Sequence, residues 1–364
     1  MPFNDLTPRD ESARAELEAV ARRVIASGWY IFGPELEAFE REFAESVDCA
    51  HGVGVSSGTE AIQLALTALG VGPGDDVVTV ANTAVPTVSA ITAAGAQPVF
   101  ADVDPETLLM DATKVAPRIT PRTRAIVPVH LFGQAVDMDP IIDLARRRGI
   151  PILEDAAQAH GARFKGRPVG ALGDACAWSF YPTKNLGALG DAGMVTTNDA
   201  AVAARLRRLR AYGQSSRYVH VEKGINSRLD EIQAAFLRAK LPRLSSANTR
   251  RREIAALYDR HLHGVTLPTR ASERDHVFHL YVIRAARRDA LQAALRDEGI
   301  GTLIHYPIPV HRQAAYVEHI DQAPFLAVTE RAADEILSLP LYPELSDADV
   351  RRVADAVTRI AARA

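Results

Sequence analysis

Cysteines and long apolar runs are scarce in this sequence, and both shortages exclude classes of protein. Cys49 and Cys176 are the only cysteines among 364 residues, which fits no metal-binding spacing and indicates a reducing compartment. No uninterrupted apolar stretch reaches the ~18 residues of a membrane span. The amino end, MPFNDLTPRDESARAE, is polar and lacks the apolar segment of a signal peptide. We therefore expect a soluble cytoplasmic protein with no membrane partner and no metal.

The charge of the chain is nearly balanced, at −3 at pH 7. This balance predicts neither a nucleic-acid partner nor an acidic membrane partner. Hydrophobic residues make up 47% of the sequence, which is enough for a sizeable buried core. The length allows two domains, or one large domain with a smaller appendage.

Short apolar runs alternate with helical patterns up to about residue 228. Several of these runs are continuous, which is typical of strands covered on both faces of a sheet. The alternation predicts an α/β fold with a mostly parallel sheet and right-handed crossovers. The predicted strands are 77–80, 99–101, 125–129, 151–153, 175–180 and 194–196, and the helices between them are 59–69, 86–94 and 140–148.

The pattern changes after this point. Long helices are predicted at 228–240 and 245–263, a strand at 277–283, and further helices at 288–297 and 347–364. This arrangement predicts a large α/β domain at residues 1–240 and a smaller α+β domain at 241–364.

Candidate site residues follow the predicted strands, because ligands of an open α/β sheet gather at the carboxyl ends of its strands. The segment SSGTE at 56–60 opens the helix predicted at 59–69. Free amides at a helix start, the Thr59 hydroxyl, and a glycine at 58 that permits close approach suit a phosphate. Alone, the same residues are also typical of an ordinary helix cap.

Two further segments combine acidic, amide and amine side chains. EDAAQAHG at 154–161 follows a strand, and its Asp155 can serve a cationic ring nitrogen; a turn or cap aspartate is the alternative. SFYPTKNLG at 179–187 places Lys184 on a glycine-rich loop after a strand. A lysine that attacks an aldehyde must be partly desolvated, which lowers its pKa. A solvated surface lysine is the alternative there, and GINSRL at 224–229 alone indicates only a turn and a helix start.

Taken together and in this order, four segments resemble the sugar aminotransferases of the DegT/StrS class, a branch of the fold-type I pyridoxal-phosphate enzymes. The resemblance runs from Trp29 to beyond Pro307. It implies a seven-stranded, mostly parallel sheet in the large domain and a homodimer whose active sites are shared between subunits. The segments are SSGTEA, EDAAQAHGA, SFYPTKNLGALGDAG and GINSRLDEIQAA.

The resemblance also implies a role for each site residue. Lys184 would bind pyridoxal 5′-phosphate as a Schiff base and transfer protons, and Asp155 would keep the pyridine nitrogen protonated. Gln158 would hydrogen-bond the ring hydroxyl, and Asn226 would reach the phosphate in the neighbouring subunit. Gly58, Thr59 and Ser179 would bind the phosphate; His160 (also a catalytic candidate), His305, Tyr306 and Tyr181 would lie on the sugar side; and Arg217, Tyr218 and His220 are candidates for contacting the nucleotide across the dimer, with a solvated loop as the alternative.

The implied reaction moves an amino group from L-glutamate to a keto-sugar nucleotide, with ping-pong kinetics through pyridoxamine 5′-phosphate. The segment TAVPT resembles the branch that acts at C3 of dTDP-3-keto-6-deoxyhexoses, and amination at C4 of a 4-keto sugar is the alternative. Many members have an aromatic residue where Ala84 stands. Here we expect small aliphatic side chains against the cofactor ring.

Three other functions on the same scaffold agree less well with the sequence. A sugar dehydratase would have histidine in place of Lys184. A desulfurase would need a mobile catalytic cysteine, whereas Cys49 and Cys176 lie in the patterns of a helix end and a buried strand. The intact set of Lys184, Asp155 and Thr59 argues against a sensor without catalysis.

Overall fold

The computed structural model describes residues 1–7, 11–316 and 326–362 of the chain. The helices in these ranges are α1 (Glu11–Ser27), α2 (Pro34–Ser46), α3 (Gly58–Ala68), α4 (Val85–Ala93), α5 (Ala112–Val115), α6 (Met138–Arg148), α7 (Ala200–Leu209), α8 (Glu231–Lys240), α9 (Leu244–His261), α10 (Arg288–Asp297), α11 (Ala327–Glu335) and α12 (Asp347–Ala361). The strands are β1 (His51–Val55), β2 (Asp76–Val80), β3 (Gln97–Ala101), β4 (Thr123–Ile126), β5 (Leu153–Asp155), β6 (Arg163–Phe164), β7 (Arg167–Pro168), β8 (Ala175–Ser179), β9 (Gly193–Thr197), β10 (Gln214–Ser216), β11 (Val219–His220), β12 (Tyr281–Arg284) and β13 (Ile336–Leu339).

The central sheet consists of two hydrogen-bonded groups of strands. One has the order β3–β2–β4 and is parallel throughout, and the other has the order β1–β9–β8–β5. Isolated parallel bridges from Ile126 to Ile152 and from Val129 to Asp155 connect the groups. Together they contain seven strands within the described ranges. The predicted α/β class is confirmed, and the sheet is mostly parallel, with β9 antiparallel to both of its neighbours.

Side chains of the central strands point to two separate cores. Ala175 and Ala177 of β8 belong to one buried cluster, and the intervening Cys176 and Trp178 belong to another. Because successive strand residues face opposite sides, both faces of the sheet are covered. This double burial explains why the strands are continuous apolar runs in the sequence.

The later part of the chain has a core of its own. β12 and β13 pair antiparallel, and buried residues of α9, α10 and α12 cluster with them, among them Ile254, Leu295 and Val353. The amino end also joins this part, since the Gly301 backbone N–H donates to the Met1 carbonyl at 2.9 Å. The division at residue 240 stays a prediction.

Several predicted boundaries move in the structure. The predicted strand 151–153 lies at Leu153–Asp155 instead, which places Asp155 on the strand end. The predicted strand 277–283 is shortened to β12, because the Val277 N–H donates to the Gly133 carbonyl at 2.8 Å rather than to a strand. The helix predicted from 228 starts at Glu231, and the last helix ends at Ala361, with residues 363–364 outside the described part.

The β13 strand and the short β10–β11 hairpin were not predicted. Their residues give only brief apolar or mixed patterns. Across the described ranges, no helix is both long enough and apolar enough to cross a membrane.

Candidate active site

A cavity of about 520 Å³ opens at the ends of the central strands. Segments that are far apart in the sequence meet there, including the start of α3, the start of α4, the end of β5 and the loop after β8. Nine of the predicted site residues line it, together with Ala84: Gly58, Thr59, Asp155, Gln158, Ser179, Tyr181, Lys184, His305 and Tyr306.

One end of the cavity is the start of α3. Ser57 caps this helix, and its hydroxyl accepts a hydrogen bond from the Glu60 N–H at 3.2 Å. A Cβ atom on Gly58 would lie 2.5 Å from the Ser179 Cβ, so only glycine allows the helix start to approach the end of β8 this closely. Backbone amides at the helix start, with the Thr59 and Ser179 side chains beside them, suit a phosphate group.

Asp155 occupies the end of β5 and is only 4% exposed. Its Oδ2 accepts a hydrogen bond from the Thr87 hydroxyl at 2.8 Å, and its Oδ1 accepts one from the Ala157 N–H at 3.1 Å. Burial raises the pKa of this carboxyl above its ordinary value, and the two hydrogen bonds and the nearby Lys184 oppose that rise in part. The negative charge of this buried carboxylate is therefore stabilised by the hydrogen bonds from Thr87 and Ala157.

Lys184 lies on the loop between β8 and β9. The loop is closed at its base, where the Phe180 N–H donates to the Ala192 carbonyl at 2.8 Å. Burial lowers the pKa of the Lys184 amine to about 8, and Asp155 partly opposes this shift. A substantial fraction of the amine is thus neutral near physiological pH, which is the form that attacks a carbonyl.

Gln158 is fixed from two sides. Its Oε1 accepts a hydrogen bond from the Phe132 N–H at 2.7 Å, and its Nε2 donates to the Tyr306 hydroxyl at 3.3 Å. Burial raises the pKa of Tyr306 to about 12, so this phenol stays protonated at neutral pH. The second amide hydrogen of Gln158 remains available for a ring hydroxyl in the cavity.

His305 is held in the cavity wall by Ser338, whose Oγ lies 2.8 Å from His305 Nδ1. Burial and the proximity of Lys184 lower the pKa of His305 to about 4. The imidazole is therefore neutral at pH 7.

The placement of His160 corrects the expectation that it faces the sugar. Its ring is 0% exposed and packs against Trp178 and Phe180, at 5.3 and 5.5 Å between ring centroids. Burial lowers its pKa to about 3. The ring belongs to the aromatic core behind the cavity, because the EDAAQAHG segment turns inward after Gln158. Its catalytic role stays a prediction.

Four predicted residues lie away from the cavity of the single chain. Arg217, Tyr218 and His220 belong to the β10–β11 hairpin and its turn, and all three are exposed, Tyr218 at 80%. Asn226 is also exposed and its backbone pairs with Ala211. Their predicted roles require a second subunit and stay predictions.

Sequence reasoning missed several polar residues of the cavity wall, among them Thr83, Thr87 and His279. Thr83 precedes α4 and Thr87 lies in its first turn, and their separation of four residues is the signal that could have paired them. His279 also lines the wall, with its Nδ1 3.2 Å from Asn185 Oδ1. Its pKa is lowered by burial, so this histidine is neutral as well.

The wall around Ala84 is aliphatic. Ala84 precedes α4 and lines the cavity with Val85 and Pro86. The two cysteines lie elsewhere and are buried, and burial raises the pKa of Cys49 to about 11. Neither is suited to nucleophilic catalysis. Within the described residues, no three His, Cys, Asp or Glu side chains form a metal site.

Comparison with known proteins identifies the family. Residues 11–358 match the DegT/DnrJ/EryC1/StrS aminotransferase family. The chain belongs to this family. The family membership and the aminotransferase activity that the sequence indicated are thereby confirmed. The pyridoxal-phosphate cofactor, on which these aminotransferases depend, is confirmed as well.

Individual relatives cover nearly the whole of this aminotransferase. A dTDP-3-amino-3,4,6-trideoxy-alpha-D-glucose transaminase of Streptomyces venezuelae is 48% identical over 100% of this chain and 97% of its own. A UDP-N-acetyl-3-dehydro-alpha-D-glucosamine 3-aminotransferase of Acidithiobacillus ferrooxidans is 42% identical, over 99% and 97%. The crystal structure of S. venezuelae DesV in complex with a ketimine intermediate superposes with a TM-score of 0.96 at 48% identity, covering 100% and 99%.

The residues of the aminotransferase cavity fit this cofactor. The space beside Gly58 at the start of α3 is too narrow for a Cβ atom. With glycine at this position, the backbone amides of the helix start can approach a phosphate. The Asp155 carboxylate carries one donor on each oxygen and can still accept an N–H from a ring nitrogen. Lys184 supplies an amine that is partly neutral.

Proposed function

We propose that this aminotransferase moves an amino group from L-glutamate to C3 of a dTDP-linked 3-keto-6-deoxyhexose, with ping-pong kinetics through pyridoxamine 5′-phosphate. One observation carries the proposal: the cavity combines the Lys184 amine of lowered pKa with the buried Asp155 carboxylate. The similarity to the S. venezuelae transaminase supports the nucleotide and the position on the sugar. The TAVPT segment at the start of α4 supports the same branch.

The protein's part in the reaction follows from these residues. Bound pyridoxal phosphate would supply an electron sink for the carbanion that forms beside the amino group. The Asp155 carboxylate would accept a hydrogen bond from the ring nitrogen and so keep that nitrogen protonated. The Lys184 amine would take the proton from the substrate carbon at its Nζ and return it. Gly58, Thr59 and Ser179 bind the phosphate. Gln158 donates its free amide hydrogen to the ring hydroxyl.

The sugar binds on the wall formed by His305, Tyr306 and Tyr181. Neutral His305 and protonated Tyr306 offer hydrogen bonds without adding charge, which suits hydroxyl groups of a sugar. Tyr181 is 53% exposed and provides a ring face at the cavity rim.

We further propose a homodimer in which the partner completes each site. Asn226 would reach the partner's phosphate, and the exposed β10–β11 hairpin would cover the partner's nucleotide. The hairpin and the residue after it expose apolar side chains that a partner would bury, Val219 at 50% and Val221 at 61%.

Two alternatives differ in substrate. C4 amination of a 4-keto-6-deoxyhexose nucleotide uses the same cavity residues. The A. ferrooxidans relative is named for a UDP-linked substrate, so UDP sugars belong in the same screen. A non-catalytic sensor is the remote alternative, and it predicts no turnover with any keto sugar.

The first test is an absorbance spectrum of the purified protein, loaded with cofactor, before and after L-glutamate. We expect the visible band to be replaced by the spectrum of pyridoxamine phosphate. Adding dTDP-linked 3-keto and 4-keto sugars and their UDP counterparts, each separately, should then restore the band with the true acceptor. Lys184→Ala is the control and should show no band conversion.

The outcomes separate the hypotheses. Recovery with the dTDP-linked 3-keto sugar supports the proposal, and recovery with only a 4-keto or UDP-linked sugar replaces the substrate while keeping the chemistry. A protein that gives no visible band even with excess cofactor would contradict the catalytic proposal as a whole.

A further inference from the structure

Three hydrogen-bonded side chains with little exposed surface form part of the cavity wall. The Thr87 hydroxyl lies 2.8 Å from Asp155 Oδ2 and 2.8 Å from the Thr83 hydroxyl. Thr83 and Thr87 are 2% and 1% exposed. The Asp155 carboxylate is likewise buried, and protein groups supply a hydrogen bond to each of its oxygens.

The chemistry of these groups fixes the direction of the chain. An ionised carboxylate only accepts hydrogen bonds. Thr87 must therefore donate its single hydroxyl hydrogen to Asp155, and it can only accept from Thr83. Each donor polarises the next, so the chain delivers a stronger hydrogen bond to the carboxylate than an isolated hydroxyl would.

Thr87 opposes the effect of burial on Asp155. Desolvation favours the neutral acid, and the Thr87 hydrogen bond is the foremost influence that favours the charged form, ahead of the Ala157 N–H. The Ala157 donor is backbone and persists in any side-chain variant. Thr87 is thus the replaceable member of the pair.

We propose that Thr87 is a positioning residue for amino transfer: its hydroxyl, supported by Thr83, fixes the orientation and the negative charge of the Asp155 carboxylate toward the cofactor's ring nitrogen. The inference rests on the proposed role of Asp155. With Oδ2 held by Thr87 and Oδ1 by Ala157, the plane of the carboxylate is set, and a lone pair remains for the ring N–H.

Substitution of Thr87 replaces none of the titratable groups that interact with Asp155. Those that interact with it are Lys184 and His130, together with Tyr306 and Cys176. A shift in the ring-nitrogen titration on loss of the Thr87 hydroxyl is therefore attributable to that hydroxyl, provided that the packing of α4 is intact.

The test uses pyridoxamine 5′-phosphate, because its binding needs no bond to Lys184. Thr87→Val removes the hydroxyl at nearly constant volume, and Thr87→Ser restores it. Thr79→Val is the matched control. The Thr79 hydroxyl is also buried, on strand β2, but it donates to the Val127 carbonyl at 2.9 Å and not to Asp155. Each protein is titrated with the cofactor by equilibrium dialysis, and the absorbance of the bound form is followed from pH 6 to 10.

We expect Thr87→Val to bind the cofactor about tenfold more weakly, as fits the loss of one hydrogen bond to a charged group. Its ring nitrogen should lose the proton at lower pH than in the wild type. Thr87→Ser should recover most of both properties, and Thr79→Val should match the wild type.

Asp155→Asn separates the two proposals. If it disturbs affinity and titration while Thr87→Val leaves both unchanged, the Thr87 proposal is overturned and the role of Asp155 survives. If Asp155→Asn leaves both unchanged as well, the role of Asp155 itself fails. A Thr87→Val defect that serine does not rescue would indicate a packing role and would also overturn the inference.

Discussion

Gly58 and Ser179 bring the start of α3 into close contact with the end of β8. A Cβ atom at position 58 would lie 2.5 Å from the Ser179 Cβ, a distance at which the two atoms would overlap and the helix or the strand would have to move. Gly58 and Ser179, which are both proposed to bind the phosphate, are therefore positioned by each other. Displacing either one should open the phosphate end of the cavity.

Gly58→Ala should accordingly weaken cofactor binding by about tenfold or more, because several amide hydrogen bonds to a charged group would lengthen together. Equilibrium dialysis with pyridoxamine 5′-phosphate measures the effect. Gly72→Ala is the matched control, since nothing lies within 4 Å of a Cβ at Gly72. Equal affinities for the two variants would show that the close approach does not shape the phosphate site.

The pKa of Lys184 predicts how the empty enzyme takes up its cofactor. Burial lowers this pKa from 10.5 to about 8, so the neutral amine grows about tenfold per pH unit below 8 and levels off above it. The association rate of pyridoxal phosphate, followed by stopped-flow absorbance, should rise in the same way. A rate that keeps rising to pH 10 would mean that Lys184 keeps the pKa of an exposed lysine. Lys184→Ala should give no band at any pH.

Glu231 supports α2 from a distance in the sequence. Its buried carboxylate accepts hydrogen bonds from the N–H groups of Gly33, Glu35 and Leu36, each at 2.9 Å. Glu231→Ala would leave these donors without a partner and should lower the free energy of unfolding by about 3 kcal/mol.

Chemical denaturation of the cofactor-free protein measures this loss. Glu37→Ala, in the exposed first turn of the same helix, should change stability by less than about 0.5 kcal/mol. Similar losses in both variants would rule out Glu231 as the cap of α2.

The proposed shared site can be tested by mixing inactive subunits. Asn226→Ala should weaken cofactor retention, and Lys184→Ala should abolish turnover. In a mixed dimer, the subunit with Lys184 would receive Asn226 from its partner, so one site would be intact. Activity after joint refolding, at limiting cofactor, should exceed the sum of the two parents. Activity no higher than that sum would argue for sites built from single chains.

The sequence predicted the large α/β part well, because its signals are local. Strands β2 and β8 are mostly apolar along both of their faces, as a sheet buried on both faces requires. The proposed cofactor-binding residues could be predicted from the sequence for a related reason. Gly58 and Lys184 follow strands and Asp155 ends one, and parallel strands bring their ends to one edge of the sheet.

The remaining features depend on contacts that leave no local signal. His160 stands two residues after Gln158, yet it turns into an aromatic core formed by α2 and β8. Thr87 reaches Asp155 only because β2 and β5 lie on either side of β4. The direction of β9 could not be read from its composition, since an apolar run has no polarity along the chain.

That direction has a mechanical consequence. Because β9 runs against β8, the connection at residues 180–192 leaves and re-enters the sheet at the same edge, whereas a parallel neighbour would need a crossover to the opposite edge. The loop that carries Lys184 is therefore anchored at both ends by adjacent strands of the sheet. Exchanging residues 181–191 would alter the chemistry at that edge while every crossover of the sheet stayed in place.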